Sequence, residues 1–271
     1  AGETEVAVAA LRLESEEAAF GKTGEVGGRR LLGDAGFGGK LAGGESAAVR
    51  QRSKHVGAGG IADQRGDGNH ANVARQFDNL EFIDFGSGFK VPYKDNDIET
   101  NIEELGEKLT QRFRTFCKNY GKTLTLAFEP GKFIVSESGS FLTKVNAIKQ
   151  TTSTVFAQID SGFNHLIRPM LYGSQHDIVN ISNPEGKKRF YSVVGYICET
   201  DTFANNRPIN EITEGDVLEF KNAGAYCFMM ASNYNSRYRP AEVLWYNETA
   251  HLIRKREVFE DLTKNQILID F

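Results

Sequence analysis

The stretch Thr123-Leu-Thr-Leu-Ala-Phe-Glu-Pro-Gly-Lys132 decides how this chain is read. Its alternating and then continuous apolar run, closed by Pro130-Gly131, has the form of a strand that stops and hands its last residues to a loop. Taken alone, Pro-Gly is only a turn signal. A second strand of the same kind, Leu80-Glu-Phe-Ile-Asp-Phe85, runs into Gly86-Ser87-Gly88. Glycines let backbone N–H groups approach an anion with no Cβ in the way, so this loop is a candidate phosphate cradle. Between the two strands, Ile98, Ile102, Leu105, Leu109, Phe113 and Phe116 recur every three or four residues, which predicts a helix. Asp95, Asn96 and Asp97 offer N-cap oxygens before it, and Gly121 can close it. Strand, glycine loop, helix, strand and Glu-Pro-Gly loop form a βαβ unit with both loops at one end, the end of a parallel barrel where chemistry is placed.

The chain has 271 residues, enough for one large core or two ordinary ones. Its 32 basic and 36 acidic residues leave a net charge of −4, and the basic ones form no stripe, which argues against a nucleic-acid partner. Cys117, Cys198 and Cys227 are odd in number and widely spaced; this pattern points to free thiols in a reducing compartment rather than a disulfide framework or a zinc site. No apolar run is long enough to span a membrane, and the N-terminus has no signal-peptide h-region, so a cytoplasmic protein without a membrane partner is expected. No His/Asp/Glu grouping has metal-ligand spacing.

Residues 1–76 differ from the rest. They hold more than half of the glycines and no Pro, Tyr, Trp, Cys or Met, with a single isoleucine, Ile61. A flexible tail, a poorly packed helical segment around Glu3 to Ala19, and translation in the wrong reading frame all fit; the abrupt change at Gln76-Phe77 favours the last, with local disorder as the physical outcome. From Phe77 the sequence turns rich in Phe, Tyr, Ile and Val. Beyond Glu137, strand-like runs follow at Phe141–Lys149, Thr154–Ile159, Arg189–Cys198, Asp216–Phe220 and Glu242–Tyr246, the last paired with His251–Lys255. Turn signals separate them at Asn183-Pro-Glu-Gly186, Asn205-Asn-Arg-Pro208, Glu214-Gly215 and Asn247-Glu248. The expected organisation is an atypical segment (1–76), the C-terminal part of a (β/α)8 barrel (77–139), and a β-barrel or sandwich domain (140–271).

Six motifs in order carry a resemblance: Asp84-Phe-Gly-Ser-Gly-Phe89, Glu129-Pro-Gly-Lys132, Asp160-Ser-Gly-Phe-Asn164, Arg168-Pro-Met-Leu-Tyr172, Cys198-Glu-Thr-Asp201 and Ala223-Gly-Ala-Tyr226. From Phe77 to Phe271 the chain closely resembles the C-terminal part of the diaminopimelate decarboxylases, pyridoxal-phosphate enzymes of the alanine-racemase-like fold. The resemblance implies a lyase of lysine biosynthesis that converts meso-diaminopimelate to L-lysine, as a homodimer with a shared active site. It also implies that Gly86, Ser87, Gly88, Glu129 and Gly131 surround the cofactor phosphate. Lys132, where the family has Arg, would meet the substrate carboxylate with charge but without two-pronged geometry. Arg168 and Tyr172 would hold the substrate, Glu199 would recognise its distal amino end, and Tyr226 would touch cofactor and substrate. Cys198 would reach the site from the other subunit and serve in protonating the carbanion, while Cys117 and Cys227 read as plain buried thiols.

One family feature has no match: the Schiff-base lysine in a Tyr-Ala-x-Lys-Ala-Asn-like context. Lys22, Lys40 and Lys54 are the only lysines before Phe77, and none has that setting. Efficient turnover is therefore not expected of this chain. A related decarboxylase, such as that for carboxynorspermidine, and a non-catalytic dimerisation or binding module are the alternatives. His165 and His176 read as hydrogen-bonded loop residues, Arg237, Arg239 and Glu242 as strand ties or a subunit contact, and Arg254-Lys-Arg256 as a solvated strand face.

Overall fold

The computed structural model describes the backbone of Val8–Arg12 and residues 73–271 apart from 87, 95, 96 and 98–100. The chain divides into two compact units, one holding 20–92 and 96–134, the other 1–19, 93–95 and 135–271. Most of the atypical segment, with Lys22, Lys40 and Lys54, lies outside the described residues.

In the first unit, strand β2 (Phe82–Asp84) pairs in parallel with β3 (Thr125–Ala127), and helix α1 (Ile102–Tyr120) connects them, so the βαβ unit forms as the periodicity predicts. The helix begins later than expected. Its N-cap is Asn101, whose side chain accepts the Glu104 N–H at 3.0 Å, rather than Asp95, Asn96 or Asp97. Gly121 closes it at φ 84°, with its N–H on the Cys117 carbonyl. Buried Ala74, Leu80, Ile83 and Leu124 form a small core, against which Phe113, Phe116, Tyr120 and the half-buried Cys117 pack. Tyr120 ties the entry to β2 with its hydroxyl, which donates to the Phe77 carbonyl and accepts the Leu80 N–H.

The second unit is a nine-stranded mixed sheet. Its main path runs β11 (Thr249–Arg254), β10 (Ala241–Tyr246), β1 (Val8–Arg12), β4 (Gly139–Gln150), β5 (Val155–Ile159), β7 (Lys188–Val194), β8 (Thr202–Asn210), while β9 (Val217–Phe220) pairs with both β4 and β6 (Ile178–Asn180). The long strand β4 organises the sheet: its first half lies between β1 and β9, and its second half pairs with β5 after a register shift at Val145/Ala147. Phe141, Thr143 and Val145 point inward at period two, and Phe141 and Val145 join Ile159, Leu166, Tyr191, Leu218 and Phe220 in the main core.

Strands β1, β6 and β8 have no counterpart in the sequence reading; Val8–Arg12, expected to be irregular or helical, instead pairs with β10 and β4. Asn205-Asn-Arg-Pro208 is not a turn between strands but lies within β8, where Asn206 takes φ 48° and register shifts interrupt the pairing with β7. Pro208 is tolerated because β8 is an edge strand. The run Arg189–Cys198 stops as a strand at Val194, because the next residues fold back in a turn held by Asp201.

Asn247-Glu248 does join β10 to β11. Both residues have positive φ (48° and 58°), and Tyr246 pairs with Thr249, which defines a two-residue hairpin turn. A glutamate there is strained, so Glu248→Gly should stabilise the chain by roughly 0.5–1 kcal/mol in urea unfolding; an unchanged or lower midpoint would contradict this reading of the turn.

Candidate active site

Two loops follow the C-terminal ends of the parallel strands of the first unit. Asp84, buried at the end of β2, accepts the Gly86 N–H on Oδ1 at 2.7 Å, winding the glycine loop into a side-chain-closed turn. Gly86 and Gly88 sit at φ 70° and 135°, conformations that residues with a Cβ rarely take. The second loop is stitched to the first: Phe85 N–H donates to the Ala127 carbonyl and Glu129 N–H to that of Gly86. The Phe128 ring lies 6.0 Å from Phe85 and 5.4 Å from Phe89, giving both loops an aromatic base. Gly131 and Lys132 open the five-residue helix α2 (Gly131–Val135). Ser87 lies outside the described residues.

In the second unit, Arg168 opens the short helix α3 (Arg168–Tyr172), which Gly173 ends at φ 62°. Its guanidinium carbon lies 5.6 Å from the Tyr172 ring centroid, 5.7 Å from Tyr226 and 5.9 Å from Tyr93. Three aromatic faces around one cation hold the charge in place with few alternative rotamers. Arg168, Tyr172 and Tyr226 are thus brought together, and Tyr93 joins them from a stretch with no sequence signal. The Tyr93 hydroxyl lies 3.2 Å from Ser136 Oγ, and burial raises its pKa. Tyr226 follows the Ala223-Gly-Ala turn at φ 58°. A Cβ on Gly224 would stand 1.9 Å from the Val135 carbonyl oxygen, so the loop delivering Tyr226 is locked to the start of β4 by close backbone contact.

Cys198 and Glu199 form a second group, exposed on the turn between β7 and β8. The thiol donates to Glu199 Oε2 at 3.1 Å, and the Tyr234 hydroxyl donates to Oε1. Glu199 is held below the usual carboxylate range, first by the Tyr234 hydrogen bond and then by that from Cys198. The thiol in turn is raised by its hydrogen bond to Glu199 and by that residue's charge, so it keeps its proton at neutral pH.

Buried Asp201 fixes this turn: Oδ1 accepts the Phe163 N–H at 2.8 Å, and Oδ2 the Ile197 N–H at 3.0 Å. A Cβ on Gly162 or Gly195 would come within 2.8 or 2.2 Å of the same carboxylate. Burial pushes Asp201 up to about 6. Asp160-Ser-Gly-Phe-Asn164 is entirely buried and serves as the hub beneath: Asp160 accepts from Thr143 and from the Lys144 N–H, and Ser161 meets His165 Nδ1 at 2.9 Å. His165 and His176 are hydrogen-bonded as expected, His165 Nε2 to the Tyr238 carbonyl and His176 Nδ1 to that of Lys221, both at 2.8 Å. Arg239 pairs with Glu257, and Arg254 with Glu242. Arg254 and Lys255 are exposed, as expected of a solvated face, whereas Arg256 is half-buried. Cys227 is the expected buried thiol, pushed up to about 12 by its surroundings, whereas Cys117 is only half-buried.

Asp84, Tyr93, Asp201 and Tyr234 were not singled out by the sequence reading. Asp84 and Asp201 stand inside quoted motifs, and the carboxylate two residues before Gly86 is itself an Asx-turn signal; Tyr93 and Tyr234 act only through tertiary contacts.

Residues 76–224 match the family described as pyridoxal-dependent decarboxylase, C-terminal sheet domain. The chain belongs to this decarboxylase family. The match begins at the compositional break near Gln76. Among relatives, the diaminopimelate decarboxylase of Methanothermobacter thermautotrophicus is 43% identical over 190 residues, 69% of this chain and 44% of that protein. The diaminopimelate decarboxylase structure from M. jannaschii superposes with a TM-score of 0.66 at 32% identity, covering 73% of this chain and 46% of that one. The Helicobacter pylori diaminopimelate decarboxylase in complex with L-lysine gives a TM-score of 0.66 at 28% identity, covering 82% and 59%. The chain thus spans about half the length of the decarboxylases it matches. No helix among the described residues is long and apolar enough to cross a membrane.

The glycine loop fits the phosphate end of the family's cofactor, since Gly86 and Gly88 carry no Cβ to cover the backbone N–H groups and take positive φ values that favour glycine. The Tyr-Ala-x-Lys-Ala-Asn-like context expected around the family's covalent lysine has no match in this sequence.

Proposed function

We propose that this chain is the C-terminal portion of a diaminopimelate decarboxylase, which removes a carboxylate from meso-diaminopimelate to give L-lysine, in the cytoplasm and as a homodimer with a shared active site. The observation that carries this reading is the pair of opposite anchors: Arg168 framed by Tyr93, Tyr172 and Tyr226, and an ionised Glu199 on a separate turn. A substrate with charged groups at two ends calls for a cationic and an anionic anchor.

In this reading Gly86, Ser87, Gly88, Glu129 and Gly131 surround the cofactor phosphate, with Tyr226 against cofactor and substrate. Pyridoxal phosphate, when bound, supplies an electron sink for the charge left as the carboxylate departs. Arg168 and Tyr172 orient the substrate, and Lys132 meets a carboxylate as a point charge. Glu199 accepts hydrogen bonds from the distal ammonium. Cys198, which retains its proton beside Glu199, is the group able to deliver one to carbon.

The test is calorimetric binding of meso-diaminopimelate to the purified chain. Arg168→Ala should weaken binding about tenfold or more, the loss of a charge-assisted hydrogen-bonding partner; equal affinity of the two proteins would refute the assignment. The unmatched lysine favours a second reading, in which this chain binds or dimerises without catalysis. After incubation with pyridoxal phosphate and borohydride reduction, no specifically labelled lysine and no CO2 release are expected. A single pyridoxyl-lysine before Phe77 would instead show that the chain completes its own site.

A further inference from the structure

We propose that Tyr234 is a positioning residue that pins the Glu199 carboxylate against the Cys198 thiol, an inference that rests on the roles given to Cys198 and Glu199 above. One carboxylate bridges two donors, the phenol on Oε1 and the thiol on Oε2. Glu199 is exposed, and an exposed glutamate with no anchor is free to exchange rotamers. The Tyr234 hydroxyl supplies that anchor.

Tyr234 is itself held. Its ring packs on buried Phe163 with centroids 5.2 Å apart, and the Phe163 N–H donates to Asp201. Asp201 also accepts the Ile197 N–H, just before Cys198. The same buried carboxylate therefore fixes the turn that carries Glu199 and the residue beneath Tyr234. Backbone strain marks both turns: Thr200 takes φ 29°, and Asn235 and Ser236 take 54° and 56°.

The groups facing the Cys198 thiol are Glu199 on its own turn and Tyr234 and Asn235 on the opposing one. Glu199 favours the protonated thiol, and Asn235, through its side chain, favours the thiolate. By keeping the Glu199 charge beside sulfur, Tyr234 keeps the proton on Cys198 while Glu199 stays ionised for an ammonium group.

The experiment needs only the purified 271-residue chain and an alkylating agent. The rate of iodoacetamide modification of the Cys198 peptide is followed by mass spectrometry as pH is raised. Near neutral to mildly basic pH, Tyr234→Phe and Glu199→Gln should each speed modification about two- to fivefold, the size expected of an exposed charge. The double variant should match Glu199→Gln alone, because Tyr234 acts through Glu199. An unchanged or slower rate in Tyr234→Phe would overturn the proposal. So would an equal acceleration in the Glu199→Gln background. Alkylation is independent of diaminopimelate, so failure of the Arg168→Ala binding test would sink the substrate reading and leave this result standing.

Discussion

Gly224→Ala should destabilise the sheet unit by about 4 kcal/mol or more, at the upper end of single-substitution effects. The new Cβ would lie 1.9 Å from the Val135 carbonyl oxygen, 2.9 Å from the Gly139 nitrogen and 2.9 Å from Ser138 Oγ. Two of these neighbours are backbone, so no rotamer change relieves the contact. They cannot easily retreat either, because Gly224 N–H donates to the Ser136 carbonyl at 2.9 Å and Ala223 N–H to that of Gly139 at 2.7 Å. Gly139 is constrained reciprocally, with an added Cβ 2.6 Å from Gly224 Cα. The damage extends to the site, since Tyr226 follows two residues later and faces Arg168. Urea unfolding checks the expectation, with Gly106→Ala as the control: nothing lies within 4 Å of that position, and alanine favours a helix. Equal midpoints for the Gly224 variant and its parent would show that the loop is not locked as described.

Acidification from pH 7 to pH 5 should cost about 2 to 3 kcal/mol of folding stability. Burial depresses both His165 and His176 to about 4. His176 Nδ1 faces the Lys221 carbonyl, while its Nε2 is buried with no hydrogen-bond partner, so a second proton there would place an unpaired N–H in the interior. Arg168 and Arg207 repel that charge as well. His165 is bonded through both ring nitrogens, with Arg256 and Arg237 opposing its protonation.

For both histidines the folded pKa lies below the unfolded value. The unfolded chain therefore binds more protons between pH 6.5 and about 4, and stability is lost as pH falls through that window, by about 2 kcal/mol per histidine at pH 5. Asp201 acts in the opposite sense: raised to about 6, it takes up a proton more readily when folded and returns about 1 kcal/mol at pH 5. Two histidines outweigh one aspartate. Unfolding midpoints at the two pH values measure the net effect, and imidazole NMR titration identifies the groups. Equal stability at both pH values, or either buried histidine titrating near 6.5, would contradict the assignment.

Features that depend on neighbours along the chain were legible in the order of residues. The period of Ile102, Leu105, Leu109, Phe113 and Phe116 made α1, the alternation of Phe141, Thr143 and Val145 made β4, and Asn247-Glu248 made a hairpin turn, because backbone geometry links spacing directly to which face is buried. The ordered motifs located the glycine loop, Arg168, the Cys198-Glu199 turn and Tyr226. Local signals misled where sheet position outweighed them: Asn205-Asn-Arg-Pro208 reads as a turn, yet an edge strand has room for both a bulge and a proline.

Which side chains meet is set by the packing of segments far apart in the chain. Tyr93 lies 75 residues before Arg168, and Tyr234 lies 35 after Glu199; neither separation carries a periodic signal. Asp201 likewise shows in sequence only as the end of a motif. Its place at the centre of Gly162, Phe163, Gly195 and Ile197 follows from strand pairing that brings distant turns together. Spacing along the chain governs helices, strands and turns, while hydrogen-bond partners across a sheet are set by register.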